Sequence, residues 1–251
     1  MNDNIVVSQV LLRGYNNPFE YIGEAADKVE LRVSDMIESD SPDNIDAIRD
    51  EARKYSVDII SVHAPFHKTD ISCLNTYERK RSIRNIEKAV VIAGRLQARY
   101  TVLHISTPIN DNDRDKRWNN AFDSLAEINE TAQRYKIELL IENTLPGRLF
   151  YDREGFEKIT DSGYSICLDT GHALISGLNL TDIYRSFKAH IPLMHIHTNS
   201  GSHDSHSFFD RAESPDVRKL LSIADKSVLR VLEIRDSSMS PIEIVNYMRT
   251  L

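Results

Sequence analysis

Six short apolar runs along the chain each end on a side chain able to bind a metal ion or move a proton. "SVH" closes on His63, "TVLH" on His104, "ELLIE" on Glu142, "ICLD" on Asp169 with His172 three places on, "LMH" on His195 and "VLE" on Glu233. Beyond His195, "HDSH" adds Asp204 and His206, two apart and able to converge on one ion from an extended backbone. A single histidine at the end of an apolar run is commonly a hydrogen-bonded structural residue. Glu142 and Glu233 are different, because an unpaired buried carboxylate is costly and tends to become neutral unless something cationic accompanies it. The recurrence at one end of six successive runs favours metal binding over six unrelated accidents.

Some architecture must carry all six ends to one place. Eight β-branched runs recur: "NIVVSQVLL" from Asn4, "KVELRV" from Lys28, "DIISVH" from Asp58, "YTVLHI" from Tyr100, "IELLIEN" from Ile137, "YSICLD" from Tyr164, "LMHIH" from Leu193 and "VLRVLEI" from Val228. Helical spacing fills the intervals, as in Ile83, Ile86, Val90, Ala93 and Leu96. Continuous apolar strands alternating with amphipathic helices need both sheet faces covered, which predicts a parallel sheet. Eight such units over 251 residues predict a closed (β/α)8 TIM barrel forming one domain, with chemistry at the C-terminal strand ends. No glycine-rich phosphate fingerprint follows the first strand, against an open dinucleotide-binding sheet. "STPINDNDRDKR" from Ser106 and "TNSGSHDSHSFFDRAES" from Thr198 read as loops on the active face.

Composition narrows the function classes. With 41% apolar and 27% charged residues the chain has a globular composition, and no apolar run reaches the roughly 20 residues of a membrane span. "MNDNIVV" lacks the basic start and apolar core of a secretory signal, so a cytoplasmic protein is expected. Cys73 and Cys167 do not have zinc-knuckle or disulfide-framework spacing, and Cys167 reads as a small core residue. A net charge of −7 offers no general attraction to nucleic acid, although a locally positive metal site could still bind a phosphoester. The remaining singular residues have plainer readings. His197 is expected to hydrogen-bond behind the site, His203 is a neighbour of open role, and His67 and His190 lie on the surface or a helix. Trp118 packs a helix start, Phe66 covers the pocket, "YERKRSIR" from Tyr77 is a solvated face, Glu30 pairs with Arg32, and Gly171 makes a tight turn returning His172 to the rim.

"SVHAPF", "VLHIS", "LLIENT", "CLDTGHA", "MHIHTN", "HDSH" and "VLEI" together resemble the xylose isomerase-like barrel superfamily, AP endonuclease family 2, which includes endonuclease IV and many sugar isomerases and epimerases. The ligand set is most similar to endonuclease IV, and the resemblance implies up to three zinc ions held by His63, His104, Glu142, Asp169, His172, His195, Asp204, His206 and Glu233. It further implies that Glu142 bridges two ions, that Asp169 and His195 join it around one, and that His172, Asp204 and His206 serve the others. Four carboxylates with neutral imidazoles carry −4, so three divalent ions leave a surplus of +2 for a hydroxide and a phosphoester, whereas one ion leaves −2. The expected activity is therefore metal-dependent phosphoester hydrolysis, with Glu142 orienting the attacking water and Glu233 positioning the cluster. Manganese is the second candidate metal.

The alternative is a metal-dependent isomerase or epimerase acting on a sugar or sugar phosphate. It needs one ion on Glu142, Asp169, His195 and Glu233, with His172 touching substrate and the two glutamates shuttling a proton. Glu30 in "VEL" resembles that branch. A metal-stabilised binding module is the non-catalytic reading. The resemblance leaves abasic DNA, the substrate of endonuclease IV relatives, open as a substrate, against which stand the net charge of −7, the lack of their first-strand histidine in "NIVVSQVLL" and the absence of a Gly-x-Gly turn after His206.

Overall fold

Each of the eight apolar runs forms a strand, and the helices between them return the chain to the same end of the sheet. The computed structural model describes residues 4–12, 18–33, 42–110, 112–208, 215–235 and 237–251. The strands are β1 (Ile5–Ser8), β2 (Lys28–Arg32), β3 (Asp58–His63), β4 (Tyr100–Leu103), β5 (Glu138–Glu142), β6 (Ser165–Asp169), β7 (Leu193–Ile196) and β8 (Leu229–Leu232). Every neighbouring pair is parallel, and β1 pairs with β8, so the sheet closes as the predicted (β/α)8 barrel. Around it lie α1 (Pro18–Ala25), α2 (Pro42–Lys54), α3 (Thr76–Arg95), α4 (Arg114–Tyr135), α5 (Arg153–Asp161), α6 (Thr170–Ile175), α7 (Leu180–Phe187), α8 (Pro215–Ile223) and α9 (Pro241–Met248). Asn75 and Asp152 accept the first backbone N–H groups of α3 and α5, and Ser240 with Glu243 forms a capping box on α9. Among the described residues, no helix is long and apolar enough to cross a membrane.

The two-residue period of a strand sorts side chains into two cores. Outward residues such as Val29, Val62, Leu103, Ile141, Leu168, Met194 and Leu232 pack against the helices. Inward residues Val6, Tyr100, Val102, Leu140, Cys167, Leu193 and Val231 fill the barrel as a separate apolar cluster. Above that plug, the next inward position on each strand is polar. The plug closes one end of the barrel and leaves the C-terminal end for chemistry.

One irregularity decides how β3 takes part. Val29 pairs with Ile59 but Glu30 pairs with Ser61, so Ile60 is skipped. Ile60 joins the inner plug and, after the bulge, Ser61 and His63 also face inward, contacting Glu30 and Glu142. Strict alternation from Ile60 would have sent His63 to the outside.

Several boundaries differ from the sequence expectation. The first strand stops at Ser8, and Gln9–Leu12 form a 3-10 turn. "RDKR" at the end of the segment from Ser106 already belongs to α4, where Trp118 stacks on Phe122 inside the core. His104 and Glu233 lie one residue beyond β4 and β8. Of the segment from Thr198, residues 209–214 lie outside the described ones.

Candidate metal centre

The polar layer above the plug gathers all nine expected residues. His63, His104, Glu142, Asp169, His172, His195, His206 and Glu233 are buried, and Asp204 is partly exposed at the mouth. Glu142 lies between two groups. Its Oε2 is 3.0 Å from Nε2 of both His63 and His104. Its Oε1 faces the other side, 3.5 Å from His172 Nδ1 and 3.6 Å from His195 Nδ1. A second group closes over it: His172 Nε2 and His206 Nε2 lie 3.4 and 3.1 Å from Asp204 Oδ2. Asp169, His195 and Glu233 form a third.

The orientation of the imidazoles shows what these groups can hold. His63 Nδ1 is 2.8 Å from the Ala64 carbonyl, His172 Nδ1 2.9 Å from that of Asn143, and His206 Nδ1 2.9 Å from that of Glu233. A carbonyl only accepts, so Nδ1 carries the proton in each ring. In a neutral ring Nε2 is then a lone pair, and it points at a carboxylate oxygen, which is also an acceptor. Two acceptors about 3 Å apart need either a proton or a cation between them. Both ring nitrogens of His104 and His195, and Asp204 Oδ1, are buried without a hydrogen bond. Lone pairs and unpartnered carboxylate oxygens converging in this way fit divalent metal ions, and mixed imidazole and carboxylate donors suit zinc. His206 holds its place in the left-handed region, at φ 49°, a conformation uncommon outside glycine and frequent where function fixes the backbone.

"CLDTGHA" is occupied on every side. Asp169 Oδ1 accepts the His172 backbone N–H at 2.7 Å, capping α6, and Oδ2 faces His197 Nε2 at 3.0 Å. Asn143 clamps the strand end, donating to the Asp169 carbonyl and accepting its N–H. Thr170 Oγ1 bridges to the His195 and His197 carbonyls. His197 is therefore the hydrogen-bonding residue expected, stacked on His206 at 4.0 Å. Gly171 corrects its expected role: its backbone is helical, and what it provides is space, since a Cβ there would lie 2.0 Å from His197 Cε1.

Glu30 also departs from expectation. Its Oε2 accepts the Ser61 hydroxyl at 2.7 Å and its Oε1 lies 3.0 Å from His195 Nε2, so it sits behind the site and orients a candidate ligand. Arg32 pairs instead with Glu233, at 3.4 Å. His67 and His203 are exposed, and His190 lies in a 3-10 turn after α7. Phe66 covers the pocket, its ring 5.1 Å from that of His104. Asn143, Arg148 and Arg235 also belong to the site and were not singled out from sequence. The "EN" step after the fifth strand was the available sign of Asn143.

Burial opposes charge throughout this layer, yet the ion partners prevail at most positions. Against burial, neighbouring imidazoles hold Glu142 and Glu233 well below the usual carboxylate range and lower Asp169 and Asp204. The carboxylates in turn raise His206 and raise His172 and His195 well above 6.5, whereas burial wins at His104 and lowers it. A histidine with a raised folded pKa stabilises fully below about pH 6.5, and that contribution is lost as pH climbs through the folded value. The depressed carboxylates stabilise above about pH 4 and lose that contribution as pH falls through their folded values. Chelator-treated protein should therefore melt highest between about pH 4.5 and 6.5 and lower on the alkaline side. Metal addition at pH 6 should release protons, measurable by calorimetry in two buffers of different ionisation enthalpy. Zero release would show that the imidazoles are already neutral.

The comparisons with known proteins agree with this architecture. The model of the family described as xylose isomerase-like TIM barrel matches residues 21–236. An uncharacterized protein of Methanocaldococcus jannaschii is 21% identical over 240 residues, covering 92% of this chain and 90% of its own. A probable endonuclease 4 of Mycobacterium tuberculosis is 30% identical over 164 residues, 61% of each chain. Among solved structures, a D-tagatose 3-epimerase-like protein superposes with TM-score 0.82 at 23% identity, covering 98% of this chain and 94% of the other. The IOLI protein, solved with a bound zinc atom, superposes with TM-score 0.79 at 13% identity, covering 98% and 95%. Both structural likenesses concern the fold alone. Matched over most of its length by the family model, and carrying the closed eight-stranded barrel, the chain belongs to the xylose isomerase-like TIM barrel family.

Proposed function

We propose that the chain is a multi-metal phosphoester hydrolase. The observation carrying this reading is the disposition of Glu142, which turns one oxygen to His63 and His104 and the other toward His172 and His195. A site for one ion would use Glu142, Asp169, His195 and Glu233 and leave His63, His104, Asp204 and His206 without a task. Here those four are buried or at the mouth, with imidazole lone pairs directed inward.

His63 and His104 with Glu142, then Asp169, His195 and Glu233, then His172, Asp204 and His206 would hold the ions, zinc by preference and manganese second. Bound there, divalent ions would supply Lewis-acid charge at the phosphoryl oxygens and acidify the attacking water. Glu142 would orient that water, and Glu233, steadied by Arg32, would fix His195 from one side while Glu30 fixes it from the other. Phe66 would limit solvent access. Duplex DNA is not favoured by a net charge of −7, and a small phosphorylated molecule fits better.

The test is metal analysis of purified protein followed by assay on aryl phosphomonoesters and phosphodiesters. At least about two equivalents of zinc or manganese per chain and chelator-sensitive phosphate release are expected. One equivalent, with solvent proton exchange into a sugar and no phosphate release, would replace this reading by the isomerase or epimerase one.

A further inference from the structure

Three arginines stand around the mouth of the same site, from three different strand ends: Arg32 at the end of β2, Arg148 after β5 and Arg235 after β8. Arg32 lies beside His63 in the strand register, its guanidinium 5.0 Å over the Phe66 ring. Its polar contact is the 3.4 Å approach to Glu233, and its Nε is buried without a hydrogen bond. Arg148 gives Nη1 to the Ser106 carbonyl at 3.4 Å and has no ion-pair partner among the described residues. Its loop is pinned, since Leu149 N donates to Ser106 Oγ at 2.8 Å and Arg114 donates to the carbonyls of Arg148 and Leu149. A guanidinium carries five N–H donors in a planar fork suited to oxyanions, and those of Arg32 and Arg148 are mostly uncommitted.

Charge counting gives these arginines a purpose. Glu30, Glu142, Asp169, Asp204 and Glu233, with the three arginines and neutral imidazoles, sum to −2. One divalent ion makes the site neutral, which suits a neutral sugar. Two ions leave it at +2 and three at +4, which calls for a polyanionic ligand. If Arg32 and Arg148 served only to neutralise the carboxylates, their ion pairing would be closer than the one contact of Arg32 at 3.4 Å.

We propose that Arg32, Arg148 and Arg235 form an oxyanion-recognition rim, and that the substrate is a small molecule carrying a terminal phosphate dianion. This rests on the multi-metal reading above. The metals would take the reacting oxygens, while the rim would hold the remaining phosphoryl oxygens by charge-assisted hydrogen bonds.

The experiment is titration of inorganic phosphate into metal-loaded protein by calorimetry, with metal content measured on each sample. Wild type should bind phosphate at least about tenfold more tightly than acetate and show no heat with a neutral ketohexose. Arg148→Met should weaken phosphate binding about 10- to 100-fold at unchanged metal content, with Arg148→Lys partly restoring it, and Arg32→Met, which also releases Glu233, should weaken it by as much per metal-loaded chain. Arg235→Ala, at an exposed position, should weaken it about threefold or more. Phosphate affinity within about twofold of wild type in all these variants would overturn the rim while leaving the metal reading intact. Failure of wild type to take up metal would overturn both.

Discussion

Replacing Gly171 by alanine is expected to damage the site more than alanine at any other described glycine. The added Cβ would lie 2.0, 2.3 and 2.8 Å from Cε1, Nδ1 and Nε2 of His197. The ring has no easy retreat. It is stacked on His206 with planes 14° apart, it faces Asp169 at 3.0 Å, and its backbone N–H donates to Thr170 Oγ1 at 3.1 Å. Because Gly171 has helical backbone, alanine would otherwise favour the helix by up to about 1 kcal/mol, so the clash alone sets the sign. Forcing a methyl into packed surroundings costs about 1–3 kcal/mol, which lowers the melting temperature by about 2–12 °C in a chain of this size. Displacing His197 frees Asp169 to turn and disturbs His206, so metal affinity should also fall about 10- to 100-fold. Thermal unfolding with and without zinc reads both effects. The double variant Gly171→Ala with His197→Ala should recover most of the stability, because the clashing ring is gone; additive losses in that cycle would refute the steric account.

That same glycine shows where sequence reading stops. The strand-end acids and histidines are conspicuous because a strand of a parallel barrel is buried on both faces and has little reason to be polar. Glu142 after "LLI" and Asp169 after "ICL" are legible on that ground, and so is the barrel that gathers them. Gly171 is not, since the atom it makes room for belongs to His197, just beyond the following strand. Glu30 and Arg32 share a strand face two residues apart and invite pairing, but closure of the barrel sets Glu30 against His195 and Arg32 against Glu233. His63 faces inward only because Ile60 is skipped by its neighbour, and one apolar residue among several gives no warning of a bulge. Arg148 comes from an aperiodic loop, where neither spacing nor propensity carries a signal.

Glu142→Gln should have the largest effect on activity, and its consequences differ between metal-loaded and metal-free protein. The amide keeps the shape of the side chain and removes the charge between two groups of imidazoles. Metal stoichiometry should fall by at least one equivalent, and hydrolysis by about 10²- to 10³-fold, the loss typical of a group that supports transition-state charge. The chelated variant should behave otherwise. Nδ1 of His63 is committed to the Ala64 carbonyl, so its neutral Nε2 is an acceptor now facing an N–H2 donor, where the wild type sets acceptor against acceptor at 3.0 Å. Glu142 then no longer favours protonation of His172 and His195, and their raised pKa values should move back toward 6.5. The alkaline loss of stability expected of the chelated wild type should shrink in the variant, while unfolding near pH 5 becomes easier because the imidazolium partner is gone. A merely structural glutamate would give destabilisation at every pH, and unchanged metal stoichiometry in Glu142→Gln would remove Glu142 from the centre of the site. The crossing of the two stability profiles is the signature of one carboxylate that serves cations in the loaded protein and protons in the empty one.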